Sequence, residues 1–150
     1  CIVGGSYGGY AALAGVTIEQ GRYRCAVSVA GIGDLARFQA WVGDRQGQDR
    51  RAVSFWRELM GASAGQDLKD ISPQRLAARA DAPILLIHGV DDTVVPIEQS
   101  QEMERALKAA GRPVEFVTMP SEDHWLSREP TRQAMLTAAV TFVEKHNPAN

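Results

Sequence analysis

The sequence predicts an α/β protein, a mostly parallel sheet of about four strands with helices on both faces. Three observations predict it. Apolar runs of strand length alternate with segments of helical period, giving the order βαβαβαβα. One run, Ile84 to Ile87 in APILLIHG, is apolar without a break, as a strand covered on both faces requires. Lastly, a glycine-flanked serine stands between a strand pattern and a helix pattern, where a parallel sheet presents the C-terminal ends of its strands.

The elements follow in order. CIVGG is an apolar strand, and GGYAALAGVTIEQ reads as a helix with small residues on its packed face. CAVSVAG is a second strand, rich in β-branched residues. A polar, glycine-dotted region comes next, then a helix over DRRAVSFWRELMG ended by Gly61. The stretch from Gln46 to Ala52 reads as a solvated loop. After the Ile84–Ile87 strand, Met103, Ala106, Leu107 and Ala110 form one helical stripe closed by Gly111. PVEFVTMP is a fourth strand pinned between two prolines, which a sheet interior does not accept. The last helix, Glu129 to His146, is expected to bury Leu136, Ala139, Val140 and Val143.

Composition narrows the function. The chain has 150 residues, 45% apolar and 23% charged, with a net charge of -2. That balance offers no field for nucleic acid or an anionic membrane, and no apolar run approaches the ~20 residues of a membrane span. The two cysteines, Cys1 and Cys25, are expected as buried thiols, with a bridge or a reactive thiol as the alternative.

Three loops carry the chemistry. Gly4-Gly5-Ser6-Tyr7-Gly8 is G-x-S-x-G between a strand and a helix, a turn sharp enough to expose a serine hydroxyl at the positive end of the helix. The N–H of Tyr7 then faces a developing oxyanion. A bland alternative is a glycine-rich turn that only lets helix and strand pack closely. A serine alcohol needs a base to take its proton. Of the three histidines, His88 ends an apolar strand and reads as a satisfied core residue, while His146 lies in the last helical turn. His124 follows the fourth strand and faces the same rim as Ser6. The base in turn needs a carboxylate, and HGVDDTVVP offers Asp91 and Asp92 after the third strand, either of which also suits a turn or a helix cap. The order Ser, Asp, His is that of the α/β-hydrolase fold.

GGSYGGY, LLIHGVDDTVVP and EDHWLS together resemble the catalytic domain of the prolyl oligopeptidase family of serine peptidases, over essentially the whole chain. The resemblance implies a partial α/β-hydrolase fold: the C-terminal portion, 1–150, of a single catalytic domain lacking its N-terminal strands. It implies Asp92 as the acid, since H-G-x-x-D-x-x-V-P falls on His88 to Pro96. It places substrate contacts at Tyr7, Ile32, Leu35, Val94 and Val95, and GIGDLARF lacks the aromatic cluster of proline-specific relatives. The activity implied is hydrolysis of short peptides through an acyl-enzyme on Ser6, without metal or cofactor. An esterase of the same fold, or an inactive assembly module, is the alternative. With the N-terminal strands absent, the serine strand becomes an unpaired sheet edge, and the chain alone is expected either to self-associate through that edge or to be marginally folded.

Overall fold

The computed structural model describes residues 1–46, 50–61 and 65–149. Four strands, β1 (Ile2–Gly5), β2 (Ala26–Val29), β3 (Ile84–Gly89) and β4 (Val114–Met119), form a wholly parallel sheet in the order β1-β2-β3-β4. The helices are α1 (Tyr7–Thr17), α2 (Leu35–Gln46), α3 (Arg50–Leu59), α4 (Glu98–Ala109) and α5 (Glu129–His146). Among the described residues, no helix is long and apolar enough to cross a membrane.

The period of two along β3 sorts the core into layers. Ile84 and Leu86 face Leu13 and Val16 of α1 and Met103 and Leu107 of α4. Leu85 and Ile87 face the other way, onto Ala139 and Phe142 of α5. All six residues of β3 are buried, which explains the unbroken apolar run. A third cluster lies outside these two layers, where Ile32, Leu35, Phe38 and Val42 pack with Met60, Leu68 and Val95. This places α2 in the region that reads from sequence as only polar and glycine-dotted. The segment Gln46–Ala52, expected as a solvated loop, is helical where it is described, since Gln46 closes α2 and Arg50, Arg51 and Ala52 open α3; residues 47–49 of it lie outside the described residues.

Two further expectations are corrected. Cys1 and Cys25 are not thiols but a disulfide, with Cα atoms 4.6 Å apart. The register Ile2↔Ala26 sets the preceding residues opposite each other across adjacent strands, a relation that exists only once the strands pair. Along α5 the buried side is Ala139 and Phe142, with Met135, Ala138 and Val143 partly covered. Leu136 and Val140 are instead 56% and 52% exposed. The buried set repeats at i, i+3, i+4, i+7 and i+8, so the true stripe is one residue round from the expected one.

Candidate active site

The site forms where β1, β3 and β4 end. Ser6 follows the last residue of β1 with φ 55° and ψ −120°. A non-glycine residue rarely holds this backbone, and it persists only when its surroundings fix it. They do: the Ser6 N–H donates to the Val29 carbonyl at 2.8 Å, and its own carbonyl receives the Tyr10 N–H at 3.1 Å. A Cβ at Gly4 would lie 2.2 Å from the Gly8 carbonyl oxygen, so the turn closes only with glycine at position 4. Gly8 itself has open space where a Cβ would be. Crowding therefore requires a glycine at position 4 before the serine and, after it, at position 9, where a Cβ would lie 2.7 Å from the Gly31 Cα, but not at position 8.

The acid loop leaves β3. Asp92 turns its carboxylate back over the following backbone, where Oδ1 accepts the N–H groups of Val94 and Val95, both at 2.8 Å. Its side chain is fully buried. Burial alone would push this carboxyl up, but hydrogen bonds from His124, His88 and the N–H groups of Val95 and Val94 outweigh it. The carboxyl is held well below the ordinary carboxylate range. Asp91 is exposed and takes no part in this cage.

The loop after β4 is tied down by its own acids. Glu122, 1% exposed, accepts the Ser127 N–H at 2.8 Å and the Thr131 hydroxyl. Asp123 accepts the Trp125 N–H at 2.9 Å and the Ser127 hydroxyl at 2.8 Å. The hydrogen bond from Thr131 holds the Glu122 carboxyl below its usual value, and that from Ser127 does the same for Asp123. A Cβ at Gly89 would lie 2.4 Å from the Glu122 carbonyl oxygen, so the ends of β3 and the His124 loop are in direct backbone contact.

These three loops bring Ser6, Asp92 and His124 into one chain of contacts. His124 Nδ1–H donates to Oδ2 of Asp92 at 2.8 Å. The Ser6 hydroxyl donates to His124 Nε2 at 3.0 Å. Asp92 fixes the tautomer: a carboxylate at Nδ1 requires the proton there and leaves Nε2 as the acceptor. Tyr7 is the first residue of α1, so its N–H has no acceptor within the helix. The positive helix end therefore adjoins the serine oxygen.

The model of the prolyl oligopeptidase family of peptidases matches residues 1–148. The chain belongs to the prolyl oligopeptidase family. It is 30% identical over 149 residues to a dipeptidyl aminopeptidase of Pseudoxanthomonas mexicana, covering 95% of this chain and 21% of the relative. It is 30% identical over 151 residues to the esterase YjfP of Escherichia coli, covering 96% of this chain and 55% of the relative. Among solved structures, a puromycin-hydrolyzing peptidase of Mycobacterium tuberculosis superposes with a TM-score of 0.83 at 29% identity, over 96% of this chain and 21% of that one. The chain thus spans about a fifth of the length of the dipeptidyl aminopeptidase and of the puromycin-hydrolyzing peptidase, and about half of the esterase. The neighbours are α/β-hydrolase peptidases, and the parallel four-stranded sheet is the matching part of that fold.

The expected substrate contacts divide. Tyr7 is 46% exposed beside Ser6, and Val94 is partly exposed. Ile32, Leu35 and Val95 are 0%, 1% and 0% exposed. All three are spent on the third core cluster, which corrects their placement on a substrate-facing surface. A cleft of about 440 Å³ instead opens beside Ser6 and His124, walled by Val3, Val29, Trp125, Leu126, Met135, Leu136 and Ala139. On this wall Leu136 fits a core stripe equally well by its spacing, while Trp125, next to His124, is 74% exposed.

Proposed function

We propose that this chain carries the reacting groups of a serine peptidase that cleaves short peptides, and that it is the C-terminal portion of the catalytic domain. The observation that carries the reading is the unbroken relay of Ser6 Oγ, His124 Nε2, His124 Nδ1 and Asp92 Oδ2, with contacts of 3.0 and 2.8 Å. Ser6 attacks the peptide carbonyl as His124 takes its proton, and the Tyr7 N–H stabilises the oxyanion. His124 then protonates the leaving amine. Water, deprotonated by His124, hydrolyses the resulting acyl-serine. Asp92, held ionised, keeps His124 in the correct tautomer and stabilises its protonated form.

An esterase is the second reading, favoured by one observation: the match to the Escherichia coli esterase spans this whole region. Both readings use the same relay. The test is the mass of the full-length protein after exposure to a fluorophosphonate probe, with Ser6→Ala as control. Labelling that the substitution abolishes supports a serine hydrolase, and no labelling of folded protein overturns it. Comparing amide and ester substrates with the same leaving-group pKa then separates peptidase from esterase.

A further inference from the structure

Asp92 Oδ2 has a second histidine on it. His88, the fifth residue of β3, is fully buried, and its Nε2 lies 3.2 Å from the oxygen that His124 contacts. The same Nε2 is 2.9 Å from the Val95 carbonyl. Two acceptors and no donor face it, so Nε2 carries the proton and gives a bifurcated hydrogen bond. Nδ1 is then the acceptor, and the Ser100 hydroxyl of α4 donates to it at 2.7 Å. Satisfying a core histidine needs only Ser100 and the Val95 carbonyl. The contact with Asp92 is additional, and it completes the carboxylate: two N–H groups on Oδ1, two imidazoles on Oδ2.

We infer that His88 is a positioning residue for the relay: it holds Asp92 Oδ2 from behind and, by sharing that oxygen with His124, limits how strongly the carboxylate stabilises a protonated His124. The inference rests on the serine hydrolase reading above. Its physical basis is competition, since each donor added to a carboxylate disperses its charge and leaves less for the others. His88 also links the acid loop to the strand before it and to α4 after it. The orientation of Asp92 is therefore set by the sheet as well as by its own turn. The other titratable groups around His124 are Asp92 and, on its own loop, Glu122 and Asp123, whose carboxyl feels the Asp92 charge.

The experiment uses the full-length protein with His88→Asn and His88→Gln. An asparagine amide nitrogen reaches about as far as Nδ1, whereas that of glutamine reaches about as far as Nε2, so only glutamine restores the donor to Asp92. The readouts are kcat and KM, and the titration of His124 followed by NMR on protein with labelled histidine, assigned with His124→Gln. His88→Asn is expected to lower kcat roughly tenfold to a hundredfold with KM little changed. It is also expected to move the His124 titration to higher pH, since the carboxylate is then shared with one donor fewer. His88→Gln is expected to recover most of both. If His88→Asn does not fold, Ser100→Ala removes the donor that polarises the ring, and a smaller shift in the same direction is expected.

A fall in Tm with His124 titrating as in the unsubstituted protein would reduce His88 to a core residue and overturn the inference. Equal behaviour of the asparagine and glutamine variants would do the same. Those outcomes, in protein that still labels with fluorophosphonate, leave the hydrolase reading intact. Failure of the unsubstituted protein to label overturns that reading, and with it the catalytic meaning of His88.

Discussion

Replacing Asp92 with asparagine tests the site most directly, because the side chain keeps its shape while losing two acceptor positions. The amide oxygen still accepts the Val94 and Val95 N–H groups from the Oδ1 position. The amide nitrogen then occupies the Oδ2 position, 2.8 Å from His124 Nδ1 and 3.2 Å from His88 Nε2. A donor now faces His124, so the ring moves its proton to Nε2. That nitrogen lies 3.0 Å from the Ser6 oxygen, and in the new tautomer it can no longer accept the serine proton. Loss of the correct tautomer in a serine relay costs about 10⁴-fold in kcat, or roughly 5.5 kcal/mol of activation free energy. Fold stability should change far less, by about 1–3 kcal/mol, because His88 retains the Val95 carbonyl. The assay is the rate of fluorophosphonate labelling and of ester hydrolysis by the full-length protein, with Tm as the control for folding. A loss of less than tenfold in folded Asp92→Asn protein would refute the role assigned to Asp92.

Four further outcomes follow from the same geometry. Gly4→Ala pushes a Cβ against the Gly8 backbone and should cost at least about 3 kcal/mol, read as a large drop in Tm or loss of soluble protein. A Tm within a degree or two of the parent would show that the serine turn is not tight. Reducing the disulfide, whose cysteines are 24 residues apart, should destabilise the fold by about 3 kcal/mol in urea titrations with and without reductant. Superimposable curves would count against the bond. Asp92, Glu122 and Asp123 all have lowered carboxyl pKa values, so below the ordinary values of 3.8 and 4.5 the unfolded chain binds more protons than the folded one. These three groups should make stability fall as the pH drops below about 5, with a shallower fall in Asp92→Asn, and a Tm constant from pH 5 down to pH 3 would contradict this. Finally, β1 is an edge strand with Val3 54% exposed, so the isolated chain should self-associate. Light scattering over a hundredfold dilution checks this, and a monomer throughout would exclude it.

The local signals determined most of the architecture. Burial on both faces writes itself into β3 as an unbroken apolar run, and a helix stop needs a glycine where φ turns positive, as at Gly61 and Gly111. The serine turn was legible for the same reason: the strain at Ser6 and the backbone contact at Gly4 are local and demand particular residue types. His124 and the pair Asp91 and Asp92 could be named because each lies in a loop following a strand, and a parallel sheet sends such loops to one rim. The choice of Asp92 within the pair came from the resemblance of residues 88–96 to the family motif.

What pairs across the sheet was not legible. The partner of Cys1 depends on the register of β1 with β2, and nothing within either strand encodes that register. Leu136 belongs to the cleft and Phe142 to the core because α5 is rotated about its axis to suit the whole sheet face, whereas the apolar residues alone allow either stripe. His88 shows the same limit. From its strand it reads correctly as a buried, satisfied histidine, but one of its partners is an Asp92 oxygen shared with a residue 36 positions further on. Sequence determines which residues are able to take part, because backbone strain and burial act over a few neighbours. Only the tertiary structure decides which of them share an oxygen, because hydrogen bonds are made between atoms about 3 Å apart in space, whatever their distance along the chain.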